Sequence, residues 1–497
     1  MAIRSLLFLI ALTAALTLPN AGRAASGDSL LFSDEAVPWQ ELGNDMVERP
    51  APVTEVIEDA VFKSNRERKA LIRQRNETGE DIEVPERRTI FGANPFLGRG
   101  AINPGIEIPT GAVWQPVTII YGEFRSALQA FDDGNRDVSE WANRLDVFTN
   151  FYLTPTERIL VGFGPLDREG DFFGYRFSNS AGEDGFETPI NGNIRTLYFE
   201  GDFGELFPNL DPGDHGNLDY GFAVGRMPLN FQDGLLLNDT IDAIGISRAS
   251  LFLFGSSATR LTALFGWNNI HRNNNIEDDD ALLYGFSSAF DYDKVTIEAD
   301  AFYVDGDDST GGDGLYFGLG QTRRFGKWNS TARANASIAL DDETPAIGSG
   351  VLLFHQLSRT ADYNDDIMYL NTFWGIEDFS SVARDPAAGG PLGNTGILFA
   401  AVGLGEYGAA LGNRSNNAVG AAVGYQHFFD QLKSSQVVVE LGGRVGTDGV
   451  SRSGGALGAR YQKGFAQHYI WVLDGFVAAY EESEFGYGVR SEIRIKF

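Results

Sequence analysis

Arginines and carboxylates recur at alternate positions along this 497-residue chain. In the last segment Arg490, Glu492, Arg494 and Lys496 share one parity, and Phe485, Tyr487, Val489, Ile493, Ile495 and Phe497 share the other. Earlier segments repeat the pattern with Glu123 and Arg125, Arg144 and Asp146, Glu200 and Asp202, Glu298 and Asp300, Arg333, and Glu440 with Arg444. A period of two places such a row on one sheet face. Opposed guanidinium and carboxylate rows set up a transverse field that orders water and orients polar solutes. The arginine fork adds planar donors suited to carboxylates and hydroxyls. The plainer alternative is a set of cross-strand ion pairs that only satisfy a polar interior.

Other chemistry is thinner. Acid-rich stretches Glu277–Asp280, Asp305–Asp308 with Asp313, Asp341–Glu343 and Asp365–Asp366 could hold a hard cation, so Ca²⁺ is the one cofactor considered. None has EF-hand spacing, and a solvated acidic loop is the simpler reading. The five histidines (His215, His271, His355, His427, His468) are scattered, and neither G-x-S-x-G nor H-E-x-x-H occurs. No enzyme is expected. The chain has no cysteine, which removes disulfides, thiolate metal sites and cysteine nucleophiles. Its net charge of −29 argues against a nucleic-acid partner.

The elements that must position these rows read as follows. Residues 1–24 have a secretory signal pattern: Arg4, an apolar run Ser5–Leu18, and small residues Gly22 and Ala24 at the cleavage site. Residues 25–112 form an acidic, proline-punctuated segment. Residues 54–76 within it are expected to be helical, with an apolar stripe (Val53, Ile57, Ala60, Val61, Leu71, Ile72) and basic last turns. Residues 113–497 carry short alternating segments separated by Asp/Asn/Gly turns. They are centred near residues 124, 148, 161, 198, 222, 249, 263, 286, 299, 319, 334, 354, 372, 424, 440, 459, 474 and 491. A soluble sandwich or β-solenoid also alternates, but the charged rows supply no core and the apolar rows have no second sheet to cover them. The fold class is therefore all-β, a transmembrane antiparallel β-barrel of about 18 strands, with 16 as the alternative. A lumen of that width is either a water channel or plugged. The two longest spacers, 166–192 and 378–417, are candidates for a loop folded inward, and an ordinary external loop is the competing reading.

The terminal strand resembles the C-terminal assembly signal of Gram-negative outer-membrane proteins, carried here by Tyr487, Val489, Ile493, Ile495 and Phe497, with Ser491 as a polar departure. The stretch Tyr220–Gly245, with Gly225-Arg-Met-Pro-Leu-Asn-Phe-Gln-Asp-Gly234, is similar to strands of the alginate-export and carbohydrate-selective porin families. That resemblance sets the class, an outer-membrane porin of a Gram-negative bacterium exported by its signal peptide; a wet lumen with a few charges would then pass small polar solutes such as sugars or organic anions. Glu123, Arg125, Arg144, Asp146, Glu200, Asp202, Glu298, Asp300, Arg333, Glu440, Arg444 and Arg490 are the expected lumen-lining set. Partners would be outer-membrane lipid and lipopolysaccharide, the outer-membrane assembly machinery and the solute. A monomer and a homotrimer are both compatible. Two alternatives stand beside this. Asn94-Pro-Phe96 and Gly98–Gly105 resemble the hatch of long-chain fatty-acid transporters, implying a plugged transporter of hydrophobic or bulky substrates. Otherwise, residues 25–110 bind a periplasmic partner and the barrel is their anchor.

Overall fold

A computed structural model describes residues 105–497 apart from 169, 181, 183, 214, 308–310, 363, 431 and 467. The expectations for residues 1–104, signal peptide, helix and hatch-like stretch included, lie outside the described residues. Antiparallel neighbours close into a barrel with 18 strand positions. We number them β1 (Val117–Asp132), β2 (Asp137–Tyr152), β3 (Arg158–Phe163 and Asp171–Asn179), β4 (Ile194–Asp202), β5 (Gly221–Phe231), β6 (Leu237–Leu251), β7 (Ala258–Asn268), β8 (Leu282–Asp291) and β9 (Val295–Asp305). Then come β10 (Gly314–Phe325), β11 (Trp328–Ala339), β12 (Gly350–Thr360), β13 (Ile367–Glu377), β14 (Ala418–Phe428), β15 (Ser435–Gly446), β16 (Gly454–Phe465), β17 (Tyr469–Tyr480) and β18 (Gly486–Lys496). Each expected centre falls inside one of these strands. The third position is shared: Arg158–Phe163 pairs with Tyr152–Val147 of β2, while Asp171–Asn179 pairs with Asn143–Val138 further along.

Why these residues make strands is visible in β18. Tyr487 and Val489 are about half exposed on the outer face, whereas Arg490 and Glu492 are buried on the inner one. Across the seam β18 pairs with β1, from Tyr487 opposite Asp132 to Lys496 opposite Glu123. Phe497 completes the closure by exchanging backbone hydrogen bonds with Gly122, at 2.8 and 3.1 Å. A Cβ on Gly122 would lie 2.8 Å from the Phe497 ring and 2.4 Å from the Asp146 carbonyl, so glycine makes room for the terminal side chain. Turns follow local chemistry. Gly326-Lys327 joins β10 to β11 with Gly326 at φ +62°, which suits a tight hairpin whose twist matches the strands.

The described residues fall into two units, of which the larger spans 105–427 and 437–497. The short unit Phe428–Gln436 is a turn in which Phe429 N donates to Ser435 O at 3.0 Å and the Lys433 amine lies over the Phe428 ring.

Strand parity orients the connections. β1 begins and β18 ends at one end of the barrel, so the odd strands β5 and β13 end at the other. Both the β5–β6 turn and segment 378–417 therefore enter from that far end. Segment 378–417 touches strands on nearly every side of the barrel: β1, β2, β3, β12, β13, β15, β17 and the β5–β6 turn. Only a chain inside the lumen can reach all of them. The spacer 166–192, by contrast, extends the wall with Asp171–Asn179 and a short strand Gly185–Glu187.

Candidate channel constriction

The interior has two unlike halves. On the side of β6–β13 it is largely apolar, the network around Arg333 apart. Ile241, Leu283, Phe302, Val304, Tyr316 and Leu352 point inward and are almost wholly buried against Leu235, Leu236, Phe379 and Val382 from the two insertions. Each fully buried large aliphatic contributes roughly 1.5–3 kcal/mol by leaving water. That is enough to hold the insertions as a packed wall. Segment 382–385 also adds backbone pairing: Val382 N donates to Leu236 O (2.8 Å), Asn238 N to Ala383 O (3.0 Å) and Asp385 N to Asn238 O (2.8 Å). Arg384 is buried beside them and gives its guanidinium to the carbonyls of Gly234, Leu235 and Gly390 and to Ser381 Oγ. Burial, with the nearby Arg414, pushes that guanidinium down to about 10.

On the other side the interior is charged. A ladder crosses four neighbouring strands: Arg460 on β16, Asp474 on β17, Arg490, Glu492 and Arg494 on β18, and Arg125 on β1. Arg460 Nε lies 3.0 Å from Asp474, Arg490 Nη2 lies 2.9 Å from the same carboxylate, and Arg490 also pairs with Glu492. Glu492 further accepts from Arg125 at 2.6 Å and Arg494 at 2.9 Å. A second group follows on β2–β4. Arg144 holds Asp146 (2.9 Å) and nears Asp167 (4.0 Å), Arg195 reaches both carboxylates, and Arg158 pairs with Glu200 at 2.5 Å.

The charged residues singled out by alternation meet different fates. Arg125 and Arg144 donate to the carbonyl of Gly403, Arg125 also to Val402, and Arg444 to Leu411. They grip the infolded segment. Arg333 joins Glu298 (2.7 Å) to Gln232 (2.8 Å) and Asp233 (2.6 Å), and Gln232 in turn donates to Asp300 (2.6 Å), which ties the β5–β6 turn to β9 and β11. Glu440 accepts from the backbone N–H of Ile397 and Leu398. Glu123 stands in register with Lys496 at the seam. Asp202 instead caps a one-turn helix, Phe203–Leu206, accepting from Gly204 N (2.8 Å) and Glu205 N (3.4 Å).

Residues outside the expected set complete the site. Gln129 and Glu140 bind each other (2.7 Å) and hold the backbone at Leu404 and Glu406; Arg136 and Arg176 then clamp the Glu406 carboxylate. Beside the infolded segment lies an open recess of about 250 Å³, lined by Tyr369, Asn371, Gly393, Gly396, Ile397, Ala400, Val438 and Arg460. Of the acidic stretches, Asp313 accepts from Tyr303 Oη and donates its N–H to Asp341, and no cluster of three or more metal-ligating side chains occurs among the described residues.

No protein-family model matches the sequence, and no curated protein matches it. Solved structures share its fold. The chain is similar to OccK1 (OpdK) of Pseudomonas aeruginosa at 12% identity and a TM-score of 0.50, over 76% of this chain and 98% of that one. A structure of the same protein with vanillate aligns at the same identity, score and coverage. OccAB3 of Acinetobacter baumannii aligns at 9% identity and a TM-score of 0.51, over 76% of this chain and 99% of the other. At such identities the likeness establishes a common barrel fold.

Proposed function

We propose that the protein is an outer-membrane porin through which small polar solutes diffuse past the infolded segment. The observation that carries this reading is the divided interior: a largely apolar half packed against the insertions, and a charged half in which the buried ladder around Arg490 and Glu492 is flanked by partly exposed guanidinium and carboxylate groups, Arg144, Arg158, Arg195, Glu200, Arg460 and Arg494. Fixed charges in a narrow, low-dielectric passage act on a solute far more strongly than they would in bulk water. An outer face of Tyr487, Val489, Leu441, Val445, Leu457 and Val477, all substantially exposed, suits the acyl chains of a bilayer. Residues 1–24 would direct export, and Phe497 with its alternating strand would be the assembly signal. The related fold of OccK1, solved with vanillate, makes small organic anions the first solutes to try, with sugars as the comparison. Liposomes containing the purified protein should swell in isotonic solutions of a small organic anion or a monosaccharide. Vesicles that stay impermeable to both would refute the reading.

A further inference from the structure

Glu440 is a buried carboxylate whose direct partners are hydrogen-bond donors rather than a salt-bridged cation: its side chain accepts from Ile397 N (3.0 Å), Leu398 N (2.9 Å) and the Tyr369 hydroxyl. Arg460 is near enough to act on its charge, but makes its own salt bridge to Asp474 at 3.0 Å. A buried charge without a direct ion pair is a poor device for stability, since its desolvation is offset mainly by hydrogen bonds. Two of its three donors belong to one point of the infolded segment, and the third, Tyr369, stands on wall strand β13. Gly396 is shaped to the same contact, because a Cβ there would sit 2.1 Å from Glu440 Oε2. Gly396, Ile397 and Tyr369 are also walls of the 250 Å³ recess, which Arg460 lines as well.

We infer that Glu440 is the positioning residue of the constriction, fixing the backbone at Gly396–Leu398 and with it the aperture beside Arg460. The inference rests on the porin reading but assigns the residue a different task from lining the lumen. Solute meets the edge that Glu440 holds, not the carboxylate itself. Without it, two backbone N–H groups lose their acceptor, and that edge of the segment moves to find water. Leu398, now almost wholly buried, becomes accessible.

Two measurements test this. The chain has no cysteine, so Leu398→Cys offers a single thiol. In the barrel with Glu440 intact the thiol resists a membrane-impermeant maleimide; combined with Glu440→Gln or Glu440→Ala it reacts. In planar bilayers, both variants and Gly396→Ala lose the wild-type conductance level and show a larger or fluctuating one, while the heat-modifiable gel shift persists. If Glu440→Ala does not assemble, the isosteric Glu440→Gln is read alone. A wild-type conductance level together with an unreactive thiol in Glu440→Gln overturns the inference. A wild-type protein that never conducts counts against the porin reading, and the thiol result still decides whether Glu440 positions the segment.

Discussion

Replacing Arg490 with alanine perturbs the charged ladder at its centre. The side chain is 1% exposed, and its partners Asp474 and Glu492 are 6% and 0% exposed, so solvent screens little of the interaction. Removing one member of a buried ion pair costs about 3–5 kcal/mol, because the partner's charge stays buried. Here both carboxylates keep other cations: Asp474 retains Arg460, and Glu492 retains Arg125 and Arg494. That places the expected loss at the lower end, about 3 kcal/mol, or roughly a hundredfold in the folding equilibrium. Urea unfolding in lipid vesicles, followed by tryptophan fluorescence, reads it directly. Arg490→Ala within about 0.5 kcal/mol of wild type, the range of an uninvolved surface substitution, would show that these groups are hydrated and that the ladder is not a buried network.

Three further outcomes follow from the same structure. Leu236→Ala, at a fully buried position in the β5–β6 turn, should cost about 2–5 kcal/mol in the same urea assay, since the cavity lies in packed interior; a negligible change would mean the turn is not anchored. Deleting Phe497 removes both backbone bonds to Gly122 at the barrel seam, and the yield of heat-modifiable barrel in membranes should fall sharply. Deleting residues 25–104 should leave single-channel conductance unchanged, because segment 378–417 already supplies the constriction; a large increase would mark those residues as the plug.

Much of the wall was legible because strand period and lipid exposure are local properties. Tyr487, Val489 and Ile493 announce one face, Arg490 and Glu492 the other, and turn residues mark where each strand stops. What alternation could not show is how far an inward residue sits from the opposite wall. Phe302, Val304, Leu283 and Leu352 are apolar on the inner parity, which is at odds with a uniformly wet lumen. They make sense only once Leu235-Leu236 and Phe379–Ala383 fold in against them. The signal was present as the unbroken run Leu235-Leu236-Leu237 beside a turn, and as Ser381-Val-Ala-Arg384 within an otherwise Gly-rich spacer. Their wall partners lie tens of residues away, and the two stretches meet each other at Ser381 and Leu235 across 146 residues, beyond any periodicity. Arg125, Arg144 and Arg444 share this lesson. Their type and parity mark the inner face, but their role as holders of backbone carbonyls depends on a segment whose path only the fold reveals.

Single-channel recording of the purified protein in planar bilayers tests the central claim most directly. A stable open conductance, sensitive to Glu440→Gln and to the charge of the permeating ion, is the expected result. A protein that assembles as a heat-modifiable barrel yet shows no open conductance at any voltage or salt concentration would contradict it.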